Sequence, residues 1–520
     1  MRRLICLLIT LGLCGTAVAA AASATPATAP ATAPSAAAAE LPGNADSPLT
    51  IPRVRSWAKS STGYRFADGA RIVVAKPALQ STATQLAADL RSLTGLTVPT
   101  TKGAARTGDI VLDLGTTEGG DEGYRLVSAP VLRITGNTDQ GVFLGTRTLL
   151  QVVKQNRSVP GGTAVDWPLY RERSFMVDVG RKYFTIGWLK RHIRDMSYLK
   201  MNQLHLHLND FTGYRLESPK HPEIVSAQHY TRAQITDLVA YAARYHVEVI
   251  PELDFPGHSD PILAAHPELK LINKDGVAHK SNIDLSKPAA YTLMKDLITE
   301  ALPLFPGRYW HIGADEYITD YAAYPQLGEY AKQKYGANAK PKDTYYGYFN
   351  WANAIVRAAG KQARAHNDGM WGGDGTVTVD KNIIIGHWSL SGPPPWWGPA
   401  YTPQQLIAMG YTIQNAPFTP THHTAGGWAA PFNVPAGVMY ETWDPSITVD
   451  SSTLTPAENA HNLGSMLKLW CDEAIQTEDQ LGSAVYDKLR VMAQHTWRSV
   501  SPPFWFQFAY MIGAVGSAPS

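Results

Sequence analysis

The sequence predicts an α/β protein: a (β/α)₈ TIM barrel preceded by a small α/β (α+β) domain. Three observations carry that prediction. From Pro168 onward, short apolar runs alternate with helix-length stretches to the end of the 520-residue chain, a span suited to barrels of about 200 to more than 400 residues. Those runs end in His, Asp, Glu and Arg, as strands do when their C-terminal ends share a functional face. Before Pro168 a shorter block alternates in the same way. With 44% hydrophobic and 17% charged residues, and 14 Trp, 24 Tyr and 13 Phe, the chain can fill a large core and is not disordered in composition.

Residues 1–20 read as a secretory signal, with Arg2 and Arg3, an apolar run over 4–13 and a small-residue cleavage site at Ala17-Val18-Ala19. That run falls short of the ~20 apolar residues a spanning helix needs. The expected destination is therefore secreted or periplasmic, by a route left open. Residues 21–44 form a linker in which every residue up to Ala39 is Ala, Ser, Thr or Pro, a composition that buries no core. Cys6 and Cys14 lie in the signal, so Cys471 stands alone and no internal disulfide is expected. Without Arg2 and Arg3 the 46 basic residues become 44 against 44 acidic ones. This balance gives no footprint for nucleic acid or an anionic membrane.

Residues 45–168 alternate strand-like runs (70–74, 109–114, 131–135) with helix-like ones (79–93, 141–153). They carry no compact cluster of His, Cys or carboxylates and read as an accessory domain. Residues 169–520 hold the barrel. Its strands are read at 175–179, 203–208, 247–253, 309–313, 383–388, 411–414 and 466–470, with a closing helix at 483–494.

The strand ends carry Asp178 and Arg181, then His205, His207 and Asp210, then Glu252, Asp254 and His258, then His311, Asp315 and Glu316, and later His387-Trp388 and Trp470-Cys471-Asp472. Buried charge is costly unless paired, so this convergence predicts an active site. Two chemistries compete. In metal-assisted hydrolysis, His205 and His207 share one side of a strand, and Asp210, His258 and His311 complete a binuclear set. In acid–base chemistry on a sugar, the flat rings of Trp388, Trp396, Trp397, Tyr440, Trp443 and Trp470 stack on pyranose faces. Two carboxylates adjacent in sequence suit neither spacing of an enzyme-nucleophile or inverting glycosidase. They do suit a proton donor, Glu316, beside a residue that orients a group of the substrate itself, Asp315. The usual internal nucleophile is then a 2-acetamido oxygen.

With these residues in view, the chain resembles the β-N-acetylhexosaminidases of glycoside hydrolase family 20, across both blocks. HIGADEY at 311–317 is similar to the family's signature, supported in order by DVGRKYF, LHLHLND, PELDFPGH and WCDE. The resemblance implies catalytic roles for Glu316, as acid and then base, and for Asp315, which orients the acetamido group. It implies that Arg181 grips the 3- and 4-hydroxyls, and that Asp210 and His258 support it and the acid. Trp388 and Trp470 would wall the pocket, Tyr440 would hydrogen-bond the acetamido oxygen, and Asp472 would contact the 4- or 6-hydroxyl. No metal and no cofactor is implied. The expected partner is an oligosaccharide or glycoconjugate ending in N-acetylhexosamine, bound by a monomer or homodimer. An acid of this kind must hold its proton, so activity is expected to favour the acidic side.

Four positions depart from the family pattern: Phe211 where a second acid is usual, His366 where a pocket tryptophan is usual, Glu441-Thr442-Trp443 after Tyr440, and Asp472 in place of glutamate. All concern how the terminal sugar is held. They keep open a lacto-N-biosidase, which releases a Gal–GlcNAc disaccharide, although Arg181 argues for the exo-hexosaminidase. A metal-dependent barrel hydrolase and a non-catalytic sugar-binding barrel are the more distant alternatives. The long stretch 416–461, which contains Thr421-His422-His423-Thr424 and Trp443, is expected to shape the leaving-group side, and the Pro-Pro-Pro-Trp-Trp run at 393–397 is read as either rim or binding platform.

Overall fold

The computed structural model describes residues 47–371, 375–390 and 400–520. The expected signal, the linker, and Trp396 and Trp397 lie outside the described residues. The N-terminal layer is a seven-stranded mixed sheet of β1 (Ser56–Lys59), β2 (Ile72–Val74), β3 (Thr100–Thr101), β4 (Ile110–Leu114), β5 (Tyr124–Ser128), β6 (Leu132–Gly136) and β7 (Gly162–Asp166), in the order β1-β7-β5-β6-β4-β2-β3. Two helices cover it, α1 (Gln80–Thr94) and α2 (Asp139–Asn156). Thr138 caps α2 by accepting from the Gly141 N–H, and Asp139 in the first turn complements the helix dipole. The antiparallel strands β1, β5 and β7 were not foreseen. β1 buries none of its residues, and β5 and β7 bury only every second one, so no continuous apolar run marks them.

The barrel follows as β8 (Glu172–Asp178), β9 (Gln203–His207), β10 (Glu248–Phe255), β11 (Tyr309–Gly313), β12 (Gln362–His366), β13 (Ile384–His387), β14 (Ile413–Asn415) and, beyond a short strand β15 (His422–Thr424), β16 (Gly464–Trp470). All neighbours pair in parallel, and β16 returns to β8. Closure comes from a parallel bridge between Ile413 and Asn462, where the Leu463 N–H donates to the Ile413 carbonyl at 2.9 Å. Strand β8 is buried at every position, as expected for a parallel strand covered on both faces. β15 adds to the upper end of β16, with His422 opposite Lys468 and Thr424 opposite Trp470. The closing helix spans Glu478–Trp497, started by a capping box between Thr477 and Gln480. A further helix, Trp505–Val515, follows it unannounced by the sequence reading. It packs Phe508, Met511, Ile512 and Val515 inward after the Pro502-Pro503 break.

The two layers are joined by charge at the base of the barrel. Arg173, fully buried on β8, pairs with Glu122. Lys200, also fully buried, reaches Asp166 of β7 at 3.0 Å and the Tyr124 hydroxyl at 2.8 Å.

Candidate active site

The turn after β11 sets the geometry. Gly313, Ala314 and Glu316 have φ of 68°, 71° and 47°, so two residues with side chains occupy the left-handed region at a cost of roughly 1–3 kcal/mol each. Neighbouring groups hold them there. The Ala314 N–H donates to the Phe255 carbonyl (2.9 Å) and to Asp254 Oδ1 (3.1 Å), and the Glu316 N–H donates to Asp368 Oδ2 (2.9 Å). Gly313 is required because a Cβ there would lie 1.9 Å from Asp254 Oδ1. The turn leaves Asp315 buried and the Glu316 carboxylate partly open to the pocket.

Beneath them runs a line of alternating charge. Glu252 faces four imidazoles, with His207 Nδ1 at 2.7 Å, His366 Nε2 at 2.9 Å, and His205 Nε2 and His311 Nδ1 at 3.0 Å. His207 Nε2 meets Asp210 Oδ2 at 2.8 Å, and Asp210 Oδ1 meets His258 Nδ1 at 3.1 Å. His258 Nε2 then stands 3.5 Å from Glu316 Oε2 and 3.8 Å from Asp315 Oδ1. Burial would raise the Glu252 carboxyl, but His311, His207 and the other imidazoles hold it well below the usual range. Burial would lower His207 and His258, yet their carboxylate neighbours, Glu252 for one and Asp210 and Asp315 for the other, hold both well above it. For Asp315, burial is outweighed by His366 and His258, and the carboxyl sits at about 2. Asp254 moves the other way, pushed well up by burial and by the Asp315 charge. Asp315 thus holds its charge between the Asp254 carboxyl, which burial and that charge push up, and the His258 ring.

Arg181 lies between the rings of Phe211 (4.5 Å) and Trp470 (5.1 Å). It binds Asp178 at 3.1 Å and Asp210 at 3.0 Å, with Asp472 at 3.8 Å. Phe211, the departure from a second acid, therefore stacks on the guanidinium. Asp472 is pushed up to about 6 by burial, against the pull of Arg181.

Above this floor lies a cavity of about 630 Å³, within the ~300–1,000 Å³ usual for small-molecule sites. Arg181, His258, Asp315, Glu316, Trp388, Trp470 and Asp472 all line it. The buried Asp210 stands behind Arg181 and His258. The 416–461 stretch supplies Phe418, Trp428, Phe432 and Val449 to the rim. Tyr440 is a correction. Its helix (Ala436–Thr442) turns it toward the C-terminal helix, where it stacks on Phe508 at 4.4 Å and gives its hydroxyl proton to the Pro502 carbonyl. It does not line the cavity. Trp443 is likewise turned away, with its indole N–H on the Ile447 carbonyl. Sequence reasoning placed His422 only within the stretch expected on the leaving-group side, and assigned no role to Lys468 or Asp368. Lys468 carried one signal, a lysine inside the apolar run SMLKLW. Among the described residues, His205, Glu252 and His311 also bring ligand-type atoms together closely enough to hold a cation.

A parallel barrel whose strand ends gather a carboxylate pair, a clamped arginine and indole walls defines a barrel of the glycoside hydrolase class. The model of the family 20 catalytic domain matches residues 170–500, and that of family 20 domain 2 matches residues 47–167. The chain belongs to glycosyl hydrolase family 20. It is 31% identical over 473 residues to a lacto-N-biosidase of Bifidobacterium bifidum, covering 89% of this chain and 41% of that one. It is 30% identical over 304 residues to a beta-hexosaminidase of Porphyromonas gingivalis, covering 51% of this chain and 38% of that one. The chain thus spans well under half the length of both relatives. Among solved structures, the family 20 beta-N-acetylhexosaminidase of Streptomyces coelicolor superposes with a TM-score of 0.73 at 27% identity, covering 90% of this chain and 95% of that one.

Proposed function

We propose that this protein is an exported, exo-acting β-N-acetylhexosaminidase. It removes terminal β-linked GlcNAc or GalNAc from oligosaccharides or glycoconjugates with retention of configuration. The observation that carries this reading is the pair Asp315–Glu316 against His258. Asp315 Oδ1 is buried without a hydrogen-bond partner, and Glu316 opens into the same cavity. Asp315 accepts the acetamido N–H and turns the carbonyl oxygen toward the anomeric carbon. Glu316 gives its proton to the departing glycosidic oxygen as the C–O bond breaks and the acetamido oxygen closes on the anomeric carbon. The resulting oxazolinium cation is stabilised by the Asp315 anion. Glu316, now a carboxylate, takes a proton from water, which opens the ring on the face the leaving group vacated.

A second reading has its own support in the lacto-N-biosidase relative and in the four departures at the sugar-holding positions. Nitrophenol release from the aryl β-N-acetylglucosaminide and the aryl β-lacto-N-bioside, measured side by side, separates the two. Release from the first alone is expected, with Glu316→Gln losing about 10²–10⁴-fold in kcat. Release from the second alone would replace the proposal with the disaccharide reading.

A further inference from the structure

The resemblance provided a tyrosine for the acyl end of the 2-acetamido group, and Tyr440 is not in the cavity. Other residues stand on that side of Asp315. His366, from the end of β12, has Nε2 3.8 Å from Asp315 Oδ2. His422, from β15, stacks on Trp388 at 5.8 Å and lies 6.1 Å from Trp470. Lys468 is paired in register with His422. All three line the cavity and all three are at least nine-tenths buried, with exposures of 2%, 5% and 3%.

His366 Nε2 is taken up by Glu252 Oε1 at 2.9 Å, but other polar atoms of the three are unspent. His422 meets the backbone of Ala416 with one ring nitrogen, and its Nε2 is buried without a partner. His366 Nδ1 is also buried without a partner. Lys468 lines the cavity and forms no ion pair among the described residues. Burial lowers Lys468 to about 8, with Glu252, Asp315 and Asp368 supporting its charge, and burial together with Lys468 holds His422 well below the usual imidazole range. An acetyl methyl pressed onto such a floor would leave these groups unpaired, and a stranded buried donor or acceptor costs the full loss of its water. A hydroxyl would answer both kinds, accepting from the ammonium and donating to a neutral imidazole nitrogen.

We infer that the floor made by Lys468, His422 and His366 recognises a 2-acylamido group ending in a hydroxyl, N-glycolyl in preference to N-acetyl. This rests on the hexosaminidase reading and deepens it. It also gives the His366 departure a purpose: an imidazole in place of an indole leaves room and a polar edge.

The test compares kcat/KM on the nitrophenyl β-glycosides of N-glycolylglucosamine and N-acetylglucosamine, in the wild type, Lys468→Met and His422→Phe. Roughly tenfold preference for the glycolyl substrate is expected in the wild type, with the ratio falling to one or below in Lys468→Met and partway in His422→Phe. Should Lys468→Met fail to fold, His422→Phe carries the comparison. A wild-type ratio at or below one, or a ratio unmoved by both substitutions, overturns the inference and leaves the hexosaminidase reading standing. No turnover of either glycoside sinks that reading instead. Calorimetry with the two free sugars then decides the inference. Tighter N-glycolylglucosamine binding that is lost in Lys468→Met supports it, and equal affinity refutes it.

Discussion

The two halves of the barrel mouth are built on opposite principles. On the side of β8 to β11, most ionised groups face a complement: Glu252 with His207, Asp210 with Arg181 and His258, His258 with Glu316 and Asp315. On the side of β12 to β16, indole rings alternate with imidazoles and one lysine, which forms no ion pair among the described residues. A site that must hold a proton and an anion at fixed positions gains from full pairing, because each charge orients the next in a medium that screens poorly. A wall that must choose among substituents gains from leaving donors and acceptors for the ligand to complete. On the proposed reading, the first half carries the chemistry and the second the choice of substrate.

The sharpest way to break this division is Asp210→Asn. It removes the carboxylate shared by Arg181, His207 and His258, leaving buried cations against a neutral amide. Destabilisation of about 3–5 kcal/mol is expected, read as a lowered denaturant midpoint. A loss below about 1 kcal/mol would mean that the paired half is less interdependent than its distances imply.

Asp472 tests the border between the halves. Its carboxyl sits at about 6 in the folded chain, against about 3.9 for an unfolded aspartate. The folded state therefore binds the proton more tightly, and ionising Asp472 opposes folding. That cost is absent below about pH 4, grows as pH rises, and is complete above about pH 6. Asp472→Asn is accordingly expected to raise stability at neutral pH by on the order of 1 kcal/mol and to change nothing near pH 4. Thermal melts at the two pH values read the difference, and a gain confined to the acidic side would reverse the assignment.

The smallest effect belongs to Tyr440. With its hydroxyl spent on the Pro502 carbonyl, Tyr440→Phe is expected to cost about 0.5–1.5 kcal/mol of stability and to leave KM for the aryl glycoside unchanged. A raised KM with unchanged stability would return Tyr440 to the pocket.

These outcomes track what was legible in the sequence. Asp315, Glu316, Asp210 and His258 could be read because each sits within a few residues of a strand end, where β-strand geometry fixes the direction of the side chain. Tyr440 could not. It lies in the long connection between β14 and β16, where sequence distance says nothing about which way a short helix turns. His422 was hidden in the same connection, because β15 is three residues long and its pairing to β16 is a tertiary event. In the N-terminal layer, the parallel core strands β2, β4 and β6 were read from apolar runs, and the half-exposed β1, β5 and β7 were not.

The ion pairs at the base of the barrel have a consequence for how such a protein can be cut or inherited. Arg173 and Lys200 have no access to water, and their counter-ions, Glu122 and Asp166, belong to the other layer. A barrel separated from its N-terminal sheet would expose this seam with two stranded cations. The sheet is thus less a passenger than the missing lower half of the barrel's own foundation, and shuffling either piece alone into a new protein would require rebuilding that seam first.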